Sequence, residues 1–258
     1  MSSPLAATTR IGTVALLRDP RALFFAVVFP FCFIGMFAFM RTLGVGEGDA
    51  TIDPMVWGIP AVLVMAFASL VIYGTVQPLV TWRRQGTLRL LSTTPLSRSV
   101  FLAGLAPVRI AVGIGQSVLA VALAAAFGVL APSGLGWFLL TSVVALVFFC
   151  AVGVLLASIF DSPEVVSSVG GGLLPIVLMA SGVLLPPALL PDALQRTAQY
   201  NPVAVIGDLL RADLTGAALV GDRLNSYLLV VGAAALLFAM AVPLFSWERR
   251  ADRRAATA

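Results

Sequence analysis

The stretch that decides the fold is residues 55–82, which read MVWGIPAVLVMAFASLVIYGTVQPLVTW and contain no charged side chain. The hydrocarbon core of a bilayer is roughly 30 Å thick, and a helix of about 20 apolar residues crosses it. This stretch is apolar on every side of a helix, whereas a helix that lies flat on a membrane is apolar along one stripe. We therefore expect a transmembrane helix that is long enough to tilt or to protrude.

Five further segments of the same kind flank this stretch. The six predicted spans are residues 22–40, 55–82, 100–130, 135–160, 165–185 and 227–247. The third span contains the one charge found within them, Arg109. The sequence thus predicts an all-α integral membrane protein, in which residues 1–258 form a single transmembrane domain.

The composition excludes most catalytic chemistry. Hydrophobic residues make up 60% of the 258 residues, charged residues make up 11%, and the mean hydropathy is +1.03. Roughly a quarter of a soluble domain is charged, so this chain lacks the charge to cover a water-facing surface. All 16 basic residues are Arg, and the absence of Lys and His removes the P-loop lysine, the imidazole base and the His metal ligand. We expect no catalytic residue, no metal ligand and no cofactor bound by this chain.

The distribution of Arg predicts the topology. Three Arg precede the first span, four lie in residues 83–99, and four follow the sixth span. The loops on the opposite side, 41–54 and 186–226, hold four Arg against seven acidic residues. Because Arg accumulates on the cytoplasmic side, we expect a multi-pass protein of the plasma or inner membrane with both termini in the cytoplasm. The net charge of +4 is thus a topology signal, and we expect no nucleic-acid partner.

Segments outside the spans also show helical patterns. Residues 9–18 are typical of an interfacial helix at the membrane surface, with a disordered tail as the alternative. In residues 83–99, Leu88 and Leu91 favour a short amphipathic helix that Thr94 and Pro95 would end.

The predicted external segment, residues 186–226, contains two helical patterns that Asn201 and Pro202 separate. Apolar residues recur at helical spacing beyond this break, as far as Leu214. These apolar faces have to be buried, and protein at membrane depth can cover them. We therefore expect re-entrant helices between spans five and six.

Polar residues within spans are functional candidates because burial in hydrocarbon is costly. For Arg109 two roles stay open: snorkelling or structural pairing, and a position facing a substrate path. Gln77 and Gln116 are weaker cases of the same kind. Gly170-Gly171-Gly172, followed by Pro175, favours close helix packing or a kink in the fifth span.

Several of these residues carry a resemblance to a known family. Gly86-Thr87-Leu88 followed by Thr94-Pro95-Leu96 resembles the signature loop of the type-2 ABC transporter permease family, nearest to daunorubicin-resistance-type exporter membrane subunits. The family commonly has an acidic residue shortly before the Gly-Thr pair, where this chain has Gln85. The likeness covers essentially the whole chain, and its further elements are Leu17-Arg18-Asp19-Pro20, Ser181-Gly182, Pro186, Leu190-Pro191, Asn201-Pro202 and Leu210-Arg211.

The resemblance implies a half-transporter in which two identical or related permease chains pair. Each chain would dock a separate ABC ATPase subunit that uses ATP and Mg, through the loop and the N-terminal surface helix. The implied ATPase-coupling loop comprises Arg83, Arg84, Gln85, Gly86, Thr87, Leu88, Thr94, Pro95 and Leu96. The implied substrate path comprises Met65, Phe67, Val71, Arg109, Pro175 and Met179, and the external re-entrant segment comprises Pro186, Pro191, Asn201, Pro202 and Arg211.

On this resemblance we expect a permease of an ATP-driven exporter for a hydrophobic or amphipathic small molecule, such as a drug, an antibiotic or a lipid, working among membrane lipids. An exporter of a lipid-linked polysaccharide would have the same topology and is the alternative. A membrane-embedded lipid-modifying enzyme would need acidic residues clustered at one depth, and a channel would need a pore lined by charge.

Overall fold

The computed structural model describes residues 9, 12–14, 18–44, 53–93, 98–184 and 200–245. In this part of the chain every regular element is a helix. The main helices are α1 (Phe24–Thr42), α2 (Pro54–Arg84), α3 (Thr87–Ser92), α4 (Val100–Ala126), α5 (Pro132–Ile159), α6 (Pro163–Ala180), α7 (Pro202–Thr215) and α8 (Arg223–Leu244). All but α3 and α7 are long and apolar enough to cross a membrane, so the predicted all-α class with six spans is confirmed.

Local capping moves several helix ends away from the positions that hydropathy predicts. The third span is predicted to reach residue 130, but α4 ends at Ala126, because Gly128 adopts φ 74° and its N–H donates to the Ala125 carbonyl. The sixth span is predicted to begin at residue 227, but α8 begins at Arg223, since the Asp222 carboxylate accepts the Asn225 N–H at 3.1 Å.

Helix α2 forms the centre of the bundle. Of the residues in the most apolar 18-residue stretch of α2, 89% are buried inside the bundle. The same fraction is 22% in α1 and 17% in both α6 and α8. Glycines let its neighbours approach closely, because a Cβ on Gly58 would overlap Phe37 of α1 and a Cβ on Gly153 of α5 would overlap Val71. The stretch that decides the fold is therefore also the core around which the other spans pack.

The outer helices leave large apolar side chains uncovered within this chain. Phe39 of α1, Ile176 of α6 and Leu236 of α8 are each more than 60% exposed. In a bilayer such faces contact lipid or another chain instead of water.

Three π-helical turns meet around Tyr73. They are Phe24–Val28 in α1, Ile72–Val76 in α2 and Val169–Leu173 in α6. The Tyr73 ring stacks on Phe25 with centroids 5.2 Å apart, and a Cβ on Gly170 would lie 3.0 Å from the Tyr73 hydroxyl oxygen. The glycine run of the fifth span thus provides close packing at a π turn, a distortion that often marks functional sites.

Candidate functional site

The loop after α2 is a tight turn between two helices. The Gln85 N–H donates to the Thr81 carbonyl at 2.9 Å, and the Gly86 N–H donates to the Arg83 carbonyl at 3.2 Å. Gly86 adopts φ 77°, a left-handed conformation that costs a residue with a Cβ roughly 1–2 kcal/mol. Helix α3 starts at once after it, so the short helix predicted in residues 83–99 is present.

Arg83 anchors this turn to the other helix ends. Its side chain is almost wholly buried, and its Nη1 donates to the Phe160 carbonyl at 3.1 Å and lies 3.4 Å from the Asp161 carboxylate. The guanidinium carbon lies 5.4 Å from the centroid of the Phe245 ring. One side chain therefore ties α2 to the α5–α6 turn and to the end of α8.

Arg84 makes a second connection to the same turn, but at the surface. Its Nη1 lies 2.5 Å from the Glu164 carboxylate, and both side chains are largely exposed. The two adjacent arginines thus hold the loop from a buried and an exposed side.

One face of the loop points away from the bundle. Leu88 is fully buried beneath α3, whereas Gln85, Thr87, Arg89 and Leu90 are exposed, and Leu90 is 73% exposed. We call these four exposed residues the docking face. The predicted loop residues Thr94, Pro95 and Leu96 lie outside the described residues.

The N-terminal segment touches the start of α4. The Thr9 hydroxyl donates to the Gly104 carbonyl at 3.0 Å, and a Cβ on Gly12 would lie 2.7 Å from Arg109 Nη1. Residues 10, 11 and 15–17 are outside the described part, so the interfacial helix stays a prediction.

Arg109 is buried between α4 and the π turn of α2. Its Nε donates to the Thr75 hydroxyl at 3.0 Å, its Nη1 donates to the Leu105 carbonyl at 2.8 Å, and its Nη2 donates to the Gly74 carbonyl. In the π turn the backbone carbonyls leave the regular hydrogen-bond pattern of an α-helix. The Arg109 guanidinium donates a hydrogen bond to one of them, the Gly74 carbonyl, and the hydrocarbon of the membrane offers no such donor. These contacts are those of structural pairing, which is one of the two roles that the sequence leaves open for Arg109.

The two glutamines in spans connect helices in a similar way. Gln116 of α4 donates through its Nε2 to the Ala26 carbonyl in the π turn of α1 at 2.9 Å. Gln77 of α2 donates to the Ser167 hydroxyl of α6 at 3.4 Å. Polar side chains therefore join the π turns of both α1 and α2 to α4.

The residues predicted to line a substrate path are not brought together in this conformation. Met65, Phe67 and Val71 are buried inside the bundle. Pro175 is half-buried and Met179 is 48% exposed on the open face of α6. The substrate path stays a prediction.

A polar cluster at the opposite end of the bundle was not anticipated from the sequence. The fully buried Asp213 carboxylate of α7 accepts the Thr141 hydroxyl and Arg223 Nη1, both at 2.6 Å. The Tyr227 hydroxyl lies 2.7 Å from the Thr141 hydroxyl, and the Arg223 guanidinium carbon lies 4.8 Å from the Trp137 ring centroid. This α7 cluster joins α7 to α5 and α8.

Helix α7 begins at the predicted break, Asn201–Pro202, and packs on α2. Asn201 caps it by accepting the Val203 N–H at 3.0 Å, and Pro202 is its first residue. The Arg211 guanidinium carbon lies 4.3 Å from the Trp57 ring centroid of α2. Pro186 and Pro191 lie outside the described residues, and the re-entrant depth of the segment stays a prediction.

A family model described as ABC-2 type transporter matches residues 5–214. No curated protein matches the chain. The matched range contains the loop after α2, Arg109, the predicted substrate-path residues and all but the last residue of α7.

Proposed function

Because the chain belongs to the ABC-2 type transporter family, we propose that it is the permease of an ATP-driven exporter. Family membership makes the chain a membrane transport component that is not itself catalytic, and it implies partnership with an ABC ATPase subunit. Beyond what family membership implies, we propose the class of cargo and the pairing of two chains. A pair of such chains moves a hydrophobic or amphipathic small molecule out of the cell, while the ATPase subunits bind ATP and Mg.

The docking face is the observation that carries this proposal. Leu90 and its exposed neighbours project from a helix whose other side, at Leu88, is buried. Because this helix lies in the loop that the family resemblance assigns to ATPase contact, we infer that its exposed side, which includes Leu90, meets a cleft on a partner. In the proposed assembly this cleft belongs to the ATPase, and the loop with both chain termini lies in the cytoplasm.

The contacts of Arg83 and Arg84 provide a route for the coupling. A displacement of α3 pulls on the α5–α6 turn through Phe160, Asp161 and Glu164. The α5–α6 turn leads directly into α6, where the π turn packs on Tyr73. Closure of the ATPase pair would thus tilt α6 relative to α2.

The cargo path in this proposal runs along the open face of α6, between two permease chains. Pro175 and Met179 belong to this face of α6, which supports such a path. Met65 and Phe67 reach the path when α6 moves away from α2, whereas Val71, which packs on Gly153, reaches it when α5 moves as well. A lipid-linked polysaccharide remains the alternative cargo, and a transport assay with each class separates the two.

The test is reconstitution in liposomes with the ABC ATPase that co-purifies with the tagged chain. We expect Leu90→Asp to abolish both co-purification and ATP-driven uptake of an amphipathic dye into inside-out vesicles. The matched control is Val220→Asp, because Val220 is similarly exposed, at 66%, but lies beyond α7 at the other end of the bundle. Undiminished dye transport by Leu90→Asp would contradict the proposal.

A further inference from the structure

Each of the three π turns is followed by a proline at the same distance. The third residue of each turn lies four residues before that proline, and the pairs are Ala26 with Pro30 in α1, Gly74 with Pro78 in α2 and Gly171 with Pro175 in α6. In an α-helix a carbonyl accepts the N–H of the residue four positions later, and proline has no N–H. One carbonyl in each π turn therefore lacks its α-helical donor.

Helix α4 supplies a side-chain donor at two of these carbonyls. Gln116 Nε2 donates to the Ala26 carbonyl at 2.9 Å, and Arg109 Nη2 donates to the Gly74 carbonyl. Gln116 and Arg109 are both almost wholly buried, and their spacing of seven residues is about two turns of one helix. Since an open carbonyl finds no donor in hydrocarbon, these bonds hold the turns of α1 and α2 against α4.

The turns of α1 and α2 also touch each other. The Phe25 and Tyr73 rings stack with centroids 5.2 Å apart, and each of these residues directly precedes a carbonyl that α4 binds. A displacement of one turn therefore disturbs the other. We call α4 together with the π turns Phe24–Val28 and Ile72–Val76 the α4 support.

The π turn of α6 is not held in this way. Among the described residues, no side chain donates a hydrogen bond to a carbonyl of Val169–Leu173, and the bond from Gln77 to α6 ends on the Ser167 hydroxyl, before the turn. A Cβ on Gly172 would meet no atom within 4 Å. Because glycine adds backbone freedom, the outer part of α6, Leu174–Ala180, is joined to the rest of the helix by a turn that can bend.

We propose that Arg109 and Gln116 are positioning residues for transport. They keep the α4 support fixed, while the outer part of α6 tilts about the turn Val169–Leu173. The inference rests on the proposed function, in which α6 moves relative to α2, and it names the pivot of that motion and the side chains that hold its counterpart still. The prolines make the three turns deformable, and α4 removes this freedom from two of them.

The lengths of the helices beyond the turns give the size of the expected displacements. Phe39 lies 11 residues beyond Val28, which is roughly 16 Å along α1 at about 1.5 Å per residue. A change of about 20° in a helix kink moves Phe39 by roughly 6 Å. Met179 lies six residues beyond Leu173, so the same bend in α6 moves it by roughly 3 Å.

The first experiment measures distances between two spin labels by pulsed electron paramagnetic resonance, in nanodiscs that contain the full chain and the partner ATPase. Both native cysteines are replaced by Ser, and labelled chains are diluted with unlabelled ones, so that the distances lie within one chain. One label stays at Val118 of α4, and the second is at Phe39 or at Met179, all exposed positions. We expect ATP with vanadate to shift the Met179 distance by roughly 3 Å and to leave the Phe39 distance unchanged.

Two kinds of failure are distinguishable in this experiment. A shift at Phe39, or no shift at Met179 in a complex that transports dye, would overturn the proposed pivot. A complex without ATP-driven transport would overturn the proposed function itself, and the role of the two side chains in transport with it.

The second experiment needs no ATPase. In the chain alone, Gln116→Leu and Arg109→Met each leave a carbonyl without its side-chain donor, and we expect the Phe39–Val118 distances to gain a population displaced by roughly 6 Å. Ser117→Ala is the matched control, because Ser117 is equally buried but donates to a carbonyl of its own helix at 2.9 Å. An unchanged distribution in Gln116→Leu would overturn the proposal even if Arg109→Met fails to fold.

The transport readout separates a positioning role from a merely structural one. In the complex, Gln116→Leu and Arg109→Met are expected to lower the dye moved per ATP hydrolysed by roughly 2- to 30-fold, the range in which single residues change coupling. Gly113→Ala crowds Leu146 of α5 and is expected to keep the wild-type ratio despite its loss of stability. An unchanged ratio in Gln116→Leu, or an equal decrease in Gly113→Ala, would overturn the proposal, because the two side chains would then only stabilise the fold.

Discussion

Replacing each of two adjacent arginines by Met tests how the loop after α2 is held. Arg83→Met removes a charged hydrogen bond to the Phe160 carbonyl, worth roughly 1.5–3 kcal/mol, and a cation–π contact with Phe245, worth roughly 0.5–2 kcal/mol. We expect a loss of about 2–5 kcal/mol. Arg84→Met removes an ion pair in which both side chains are exposed, and such pairs contribute little because water and salt screen them. We expect a stability close to that of the wild type.

The assay is thermal unfolding in detergent, followed by intrinsic fluorescence. Arg83→Met is expected to lower Tm by roughly 4–20 °C, and Arg84→Met by far less. In the complex with the ATPase, Arg83→Met is also expected to uncouple ATP turnover from transport, because the α5–α6 turn no longer follows α3. Equal Tm values for the two variants would refute the role of the buried arginine.

Three further substitutions have expected outcomes. Gly113→Ala forces a Cβ into the buried Leu146 and is expected to cost about 1–3 kcal/mol of stability. In Gly115→Ala the new Cβ meets no atom within 4 Å, so this variant is expected to be neutral or stabilising. Tm measurements that rank the two variants the other way would contradict the α4–α5 packing. Asp213→Asn breaks the buried pair with Arg223 and costs roughly 1–3 kcal/mol in chemical denaturation, and an unchanged midpoint would show that the α7 cluster contributes nothing. Gly86→Ala strains the left-handed turn by roughly 1–2 kcal/mol. We expect reduced ATP-driven transport, while circular dichroism shows that the spans stay folded. Full transport would show that the turn tolerates a Cβ.

The spans could be predicted from the sequence because a continuous apolar run has few alternatives to a membrane helix. The ends of the spans could not, because single capping residues set them. Hydropathy does not register the left-handed Gly128 that ends α4 or the Asp222 carboxylate that starts α8. The short helix after α2 was predictable for a different reason, since a glycine, a leucine pattern and a Thr-Pro stop occur there in order.

Pairings between distant residues were beyond the sequence. Arg83 and Arg84 are indistinguishable by composition, yet helix geometry buries one and exposes the other. Two of the three partners of Arg109, the Gly74 carbonyl and the Thr75 hydroxyl, belong to a π turn, which no hydropathy pattern signals. Asp213 could have been noticed, because it follows Leu209 and Leu210 by four and three residues and so falls on the apolar face of its helix.

In the proposed assembly the docking face contacts an ABC ATPase. The most direct measurement places a photo-reactive amino acid at Leu90 in the full chain, in membranes that contain the partner ATPase, and identifies the adduct by mass spectrometry. A matched probe at Val220, similarly exposed beyond α7, serves as the control. We predict an ATPase adduct from Leu90 and none from Val220. An ATPase adduct from Val220, or adducts from Leu90 with lipid alone, would contradict the account.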